Sequence, residues 1–186
     1  MLSLSDEDRS AILAVARRGV LHAVRHGGPS ATFPNSGVFA ERCGLFVTLH
    51  VTGKLRGCIG IIDAPTTLGE NLVRCAADAA LHDPRFAPLR PDEMEHLEIE
   101  VSLLSPIQPI RPDTVVIGKH GLLAERGMRR GLLLPQVATE HHLNREQFLA
   151  ETCFKAGLPR EAWHDPETKF YGFECMIIGE KPQPRK

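Results

Sequence analysis

The segment Leu45-Phe46-Val47-Thr48-Leu49-His50-Val51-Thr52-Gly53-Lys54-Leu55-Arg56-Gly57-Cys58-Ile59-Gly60 decides how the rest of the chain is read. Its first half alternates apolar and polar residues, Gly53-Lys54 is a turn signal, and the second half is an apolar run. Together they predict a β-hairpin. Side chains alternate between strand faces, so Arg56 and Cys58 share one. Two registers are open. A two-residue loop puts Arg56 and Cys58 with Leu45, Val47, Leu49 and Val51. A three-residue loop, Thr52-Gly53-Lys54, instead puts Leu55, Ile59 and Ile61 with those apolar residues. A one-residue slip exchanges core and outer faces, so burial selects the second register. The expectation is Cys58 beside Thr48, and His50 opposite Arg56, on a polar face. Gly57 and Gly60 mark a bulge or the close approach of a ligand or another backbone.

The 186 residues suffice for one domain, or for two small lobes sharing a core. A hydrophobic fraction of 42% and a charged fraction of 24% are ordinary for a soluble globular protein. The net charge of −1 creates no overall field for nucleic acid or anionic membrane. Arg126, Arg129 and Arg130 form a local basic turn, but without the interleaved aromatics of a single-strand binder, so nucleic-acid binding stays an open question. No apolar run approaches the roughly 20 residues of a membrane span, and the acidic first residues do not read as a secretion signal. Five widely spaced cysteines, none in a Cys-x-x-Cys pair, point to free thiols in a reducing cytosol.

Outward from the hairpin, Ser5 and Asp8 read as a capping box for a helix that runs to His26 and stops at Gly27-Gly28-Pro29. Thr67 and Glu70 cap a second helix, halted by Asp83-Pro84. Leu97 to Leu103 alternates as a half-buried strand with Glu98 and Glu100 on its polar face. A proline-punctuated crossover follows, and the sublobe boundary is placed in 105–113. Val115 to Leu134 reads as a small antiparallel meander. Asn144 with Gln147 caps a helix ending at Gly157, and Phe170 to Ile178 reads as one last strand.

Cys58 has two readings: a nucleophile whose thiolate Arg56 or a histidine favours, or a small buried hydrophobe. Arg56 either pairs with Glu98 or Glu100, or binds an anionic substrate through its fork. His120, in the Gly-Lys-His-Gly turn, is a general acid or base or a turn residue without a role. Glu140 reads as a helix-start carboxylate favoured by the dipole. No His-Glu-x-x-His, P-loop or Gly-x-Gly-x-x-Gly occurs, so no metal, nucleotide or other cofactor is expected.

Leu55-Arg56-Gly57-Cys58-Ile59-Gly60 resembles the signature of the AMMECR-type domain family, the A component of the AmmeMemoRadiSam gene set. Further blocks support the resemblance in order: Asp83-Pro84-Arg85-Phe86 with Pro88-Leu89, Gly118-Lys119-His120-Gly121, and Leu133-Leu134-Pro135-Gln136-Val137 with Glu140. Phe148-Leu149, Cys153, Lys155-Ala156-Gly157-Leu158 and Trp163 carry it nearly to the end. One departure stands out: His141-His142-Leu143 occupies the stretch where the family usually has a tryptophan. The resemblance implies an α+β fold, antiparallel sheet flanked by helices, in two sublobes with a cleft between them. It also implies association with a Memo-like protein and a radical S-adenosylmethionine enzyme.

Two functional classes follow. In one, the protein is an enzyme or the substrate-handling subunit of one, acting on an anionic small molecule or an RNA-linked substrate. Cys58, His120 and Glu140 are then the catalytic candidates, and Arg56, Thr48, His50, Arg85 and Gln136 bind substrate. In the other, the chain is a non-catalytic adaptor for the associated proteins. The Arg56–Cys58 pair on a glycine-cleared face leans toward the first.

Overall fold

Helix α1 (Asp6–His26) begins where Ser5 and Asp8 cap one another: the Asp8 N–H donates to Ser5 Oγ at 3.1 Å and the Ser5 N–H to the Asp8 carboxylate at 3.0 Å. Four backbone donors at a helix start lack internal partners, and this box satisfies two of them. The computed structural model describes residues 2–180, which divide into two compact units. One comprises Leu2–Leu103 and the chain from Met176 on; the other is Leu104–Cys175. The fold is α+β, with two four-stranded sheets.

In the first unit the sheet order is β2-β1-β3-β8, from β1 (Leu45–Val51), β2 (Lys54–Ile61), β3 (Leu97–Leu104) and β8 (Cys175–Gly179). Helix α2 (Leu68–Leu81), capped by Thr67 and Glu70 as expected, packs on β1, β2 and α1. Gly19 of α1 lies against Ala76 and Val73, so the two helix backbones approach closely. The core joins Ile12, Val15, Leu45, Val47, Leu49, Leu72 and Ile99 from both helices and the sheet.

The hairpin reaches its register by a route the sequence reading did not take. Val51 pairs with Lys54, so the loop is the two residues Thr52-Gly53. Both have positive φ, 53° and 76°, as a type I′ turn requires. Between Leu49 and His50 the register shifts: Leu49 pairs with Gly57 but His50 with Leu55. Arg56 is the extra residue of a β-bulge. The bulge restores the parity that a three-residue loop would have given, so Thr48 does pair with Cys58. Two expectations are corrected. His50 lies opposite Leu55, not Arg56, and Leu55 is 42% exposed rather than in the core.

The second unit has the sheet order β4-β7-β5-β6, from β4 (Gln108–Pro109), β5 (Gly121–Arg126), β6 (Arg129–Leu133) and β7 (Lys169–Phe173). Helices α3 (Pro135–Glu140) and α4 (Arg145–Lys155) accompany it, the latter capped by Asn144 and Gln147. Phe148, Leu149 and Cys153 pack with Leu122, Ala124 and Phe170. The meander expected over 115–134 is only the β5–β6 hairpin; its third strand is β7, distant in sequence. The single last strand is two, because the chain leaves one sheet at Phe173 and enters the other at Cys175. At this break the Glu174 N–H donates to Ser105 Oγ, and its carbonyl accepts from the Ser105 N–H, both at 2.9 Å. Partners off the sheet here divert the ladder.

Candidate functional site

Strand β2 is the edge of its sheet, and an edge presents unpaired backbone groups. At Cys58 those groups are taken. The Cys58 N–H donates to Asp83 Oδ2 at 2.8 Å, and its carbonyl accepts from Arg85 Nη2 at 3.3 Å. Arg85 closes the clamp with Nε to Asp83 Oδ1 at 3.0 Å and Nη2 to Oδ2 at 2.7 Å. Pro84, between them, fixes the loop that points both side chains at one residue of the edge. The Asp83 side chain is 2% exposed, while that of Arg85 is 54% exposed. The Arg85 guanidinium is the main reason the Asp83 carboxyl is pushed down to about 2; burial opposes it, and the backbone N–H groups of Cys58 and Arg85 help.

The Cys58 side chain projects from the sheet face beside Thr48, its partner across the ladder. Thr48 Oγ1 donates to Sγ at 3.2 Å. Burial pushes the thiol up from its ordinary value, and the carboxylates of Asp83 and Glu100 add to this. The Thr48 hydrogen bond and the Arg85 charge only partly offset it. On the opposite face, Gly57 meets α2: a Cβ there would overlap the Ala79 carbonyl. At Gly60 a Cβ would strike the Phe46 ring, which covers the glycine from the neighbouring strand. Both glycines permit close approach of this protein's own groups, the structural half of what the sequence suggested.

Arg56, projected by the bulge, is held through all three of its guanidinium nitrogens. Its Nε and Nη2 donate to the two Glu93 oxygens at 2.7 and 3.0 Å, Nη1 to the Ala87 carbonyl at 2.6 Å, and Nη2 to the Pro88 carbonyl at 3.1 Å. The partner is Glu93, not Glu98 or Glu100. Glu93 also accepts from the Arg90 N–H at 2.9 Å, and the Arg56 fork holds its carboxyl below the usual carboxylate range. Sequence reasoning missed Glu93 and the backbone role of Asp83. The only signal was the shared need of a half-buried arginine and an edge strand for acceptors.

His50, half-buried, stands between Leu55 and Glu98 on the Cys58 face. The remaining candidates belong to the second unit. His120 is half-buried, and its Nδ1 accepts from the Val116 N–H at 3.1 Å. An amide can only donate, so the neutral ring carries its proton on Nε2. His120 lines a cavity of about 220 Å³ with Ser105, Ile110, Phe173 and Glu174. Gln136 is at the start of α3, with its side-chain oxygen buried and without a hydrogen-bond partner among the described residues. Glu140 is the last residue of α3 and exposed. The helix-start reading is therefore corrected: the dipole there disfavours a carboxylate. The basic turn is locally neutralised, with Arg126 on Asp165 and Glu167, and Arg130 on Glu125. Among the described residues no helix is long and apolar enough to cross a membrane.

Comparison with known proteins places these motifs in context. The sequence family described as AMMECR1 matches residues 13–178. A protein of Methanothermobacter thermautotrophicus is 41% identical over 186 residues, covering 95% of this chain and 96% of its own. Protein TK0174 of Thermococcus kodakarensis is 40% identical over 195 residues, covering 97% and 94%. Among solved structures, the crystal structure of the uncharacterized protein PH0010 from Pyrococcus horikoshii superposes with a TM-score of 0.88 at 38% identity, over 96% of this chain and 94% of that one.

Proposed function

The chain belongs to the AMMECR1 family, and on that premise we propose that it is a binding module for a Memo-like protein or a radical S-adenosylmethionine enzyme. The β2 edge, with Arg85 at its surface, is the contact. One observation carries this reading: the backbone of Cys58 at the strand edge is clamped by Asp83 and Arg85 with the Arg85 guanidinium exposed, while burial pushes the Cys58 thiol up from its ordinary value. Nucleophilic chemistry needs the thiolate. Arg56 supports the same reading, because its donors go to Glu93, Ala87 and Pro88 rather than to a ligand. Arg85 is the guanidinium with exposed surface beside Cys58, so it takes over the anion-facing role. A reducing cytosol suits the five free thiols.

The test is a pull-down between purified proteins. Cys58→Ala should bind the Memo-like protein as the parent does, and Arg85→Glu should bind it markedly less. Loss of binding in Cys58→Ala with Arg85→Glu unaffected would overturn the assignment, as would no binding to either candidate partner.

A second reading makes the chain a thiol enzyme on an anionic or RNA-linked substrate, with Cys58 as nucleophile. Thr48 would add a substrate contact. The Thr48 hydroxyl aimed at Sγ favours this reading, since a hydrogen bond to sulfur stabilises the thiolate. Alkylation of the folded protein across pH, read by mass spectrometry at each cysteine, separates the two. Selective labelling of Cys58 below the ordinary thiol range of about 8.5 selects the enzyme. Slow labelling in step with the other buried thiols selects the binding module.

A further inference from the structure

The last turn of α1 holds a pair of histidines that neither reading uses. His22 and His26 are four residues apart, hence neighbours on one helix face. Their rings lie 4.8 Å apart between centroids, tilted by 43°. His22 is half-buried and His26 exposed. His22 Nδ1 lies 3.3 Å from the Gly28 carbonyl, an acceptor only, so Nδ1 carries the proton of the neutral ring. That leaves the lone pair on Nε2. A backbone carbonyl holding the far N–H is the usual support of a metal-ligating histidine, because it fixes the tautomer and the ring orientation.

The spacing of the rings can be checked against coordination geometry. Two imidazole nitrogens about 2.0–2.1 Å from one ion, at the ~90–109° of square-planar or tetrahedral coordination, put their ring centroids about 4.5–5.2 Å apart. The observed 4.8 Å lies within that interval. The C-terminal end of a helix also favours a positive charge. From sequence, no complete ligand set is visible and no dedicated metal is expected. Among the described residues no cluster of three such ligands exists, so the pair supplies two positions and water the rest.

We infer that His22 and His26 form a two-imidazole chelate for a late first-row divalent cation such as Ni²⁺, Cu²⁺ or Zn²⁺. The site is independent of the Cys58 region and of the function proposed for it. Because two neutral imidazoles bind the ion, occupancy adds positive charge to this end of α1.

Calorimetric titration of the full chain with Ni²⁺ tests the inference. The parent should bind one equivalent, and His26→Ala should weaken that event by about tenfold or more, as loss of one of two ligands demands. The exposed position of His26 leaves the fold intact in that variant, which far-ultraviolet circular dichroism checks. His22→Ala should give the same loss. Should His22→Ala unfold the helix end, His26→Ala decides alone. Unchanged Ni²⁺ binding in His26→Ala, or no binding by the parent, overturns the inference.

Discussion

Replacing Asp83 by Asn tests whether the clamp on Cys58 holds the edge strand through its charge. The carboxyl sits at about 2 in the folded protein against 3.8 for a free aspartate. A depressed folded value means stability that is fully present above the unfolded value and lost as pH falls through the folded one. The gap corresponds to about 2 kcal/mol at pH 7 and pH 5, about 1 kcal/mol at pH 3, and less than about half a kcal/mol at pH 2. The side chain is 2% exposed, so solvent screens little of this. The assay is urea unfolding of parent and Asp83→Asn at pH 7, 5 and 3. Asn keeps an acceptor for the Cys58 N–H but cannot titrate. The difference between the two proteins should therefore be near 2 kcal/mol at pH 7 and 5, and narrow by about 1 kcal/mol at pH 3. A difference equal at pH 7 and pH 3, or a variant as stable as the parent at pH 7, would refute the reasoning.

Three further outcomes are expected. Gly57→Ala drives a Cβ into the Ala79 carbonyl, which belongs to backbone and cannot swing aside, so urea unfolding should show a loss of about 1–3 kcal/mol; a change within about 0.5 kcal/mol would show that α2 shifts freely. Arg56→Lys keeps the charge but cannot reproduce the fork on Glu93 with two carbonyl contacts, and should cost about 1–3 kcal/mol by the same assay, whereas a neutral result would make the bulge arginine dispensable. Thr48→Val removes the hydroxyl that donates to Cys58 Sγ, so the thiol should rise further and alkylate more slowly between pH 7 and 9, with the same plateau rate at high pH. Faster labelling would mean that access, not ionisation, limits the reaction.

Local chemistry was legible in the sequence. The caps at Ser5, Thr67 and Asn144 were all readable, because each box closes within three residues. The pairing of Thr48 with Cys58 was also readable, since burial allows only one parity, but the mechanism was not. A two-residue turn plus a bulge at Arg56 gives the same parity as a longer loop, and the bulge is held by Glu93, Ala87 and Pro88, more than thirty residues on. Glu140 was misplaced because Pro135 starts its helix and only two turns fit before His141. The break at Glu174 was invisible for a similar reason. Alternation runs through it unbroken, and only Ser105, distant in sequence, diverts the backbone. Functional candidates fared as local or distant in the same way: Cys58 and the Asp83-Pro84-Arg85 motif each stood out, but the grip of the second on the backbone of the first, twenty-five or more residues away, did not.

The sheet order β2-β1-β3-β8 has a temporal consequence. The unit of Leu104–Cys175 has all four of its strands in one continuous stretch, so it can form as soon as that stretch has left the ribosome. The unit bearing the Cys58 motif cannot. Its outer strand β8 comes from residues 175–179, and Glu180 supplies both oxygens that Arg17 of α1 grips. Helix α1 therefore waits for β8, and until it arrives the β3 edge stands open as a template for another chain. Growth conditions that slow translation would lengthen the interval between the emergence of β3 and that of β8, during which this edge is unpaired.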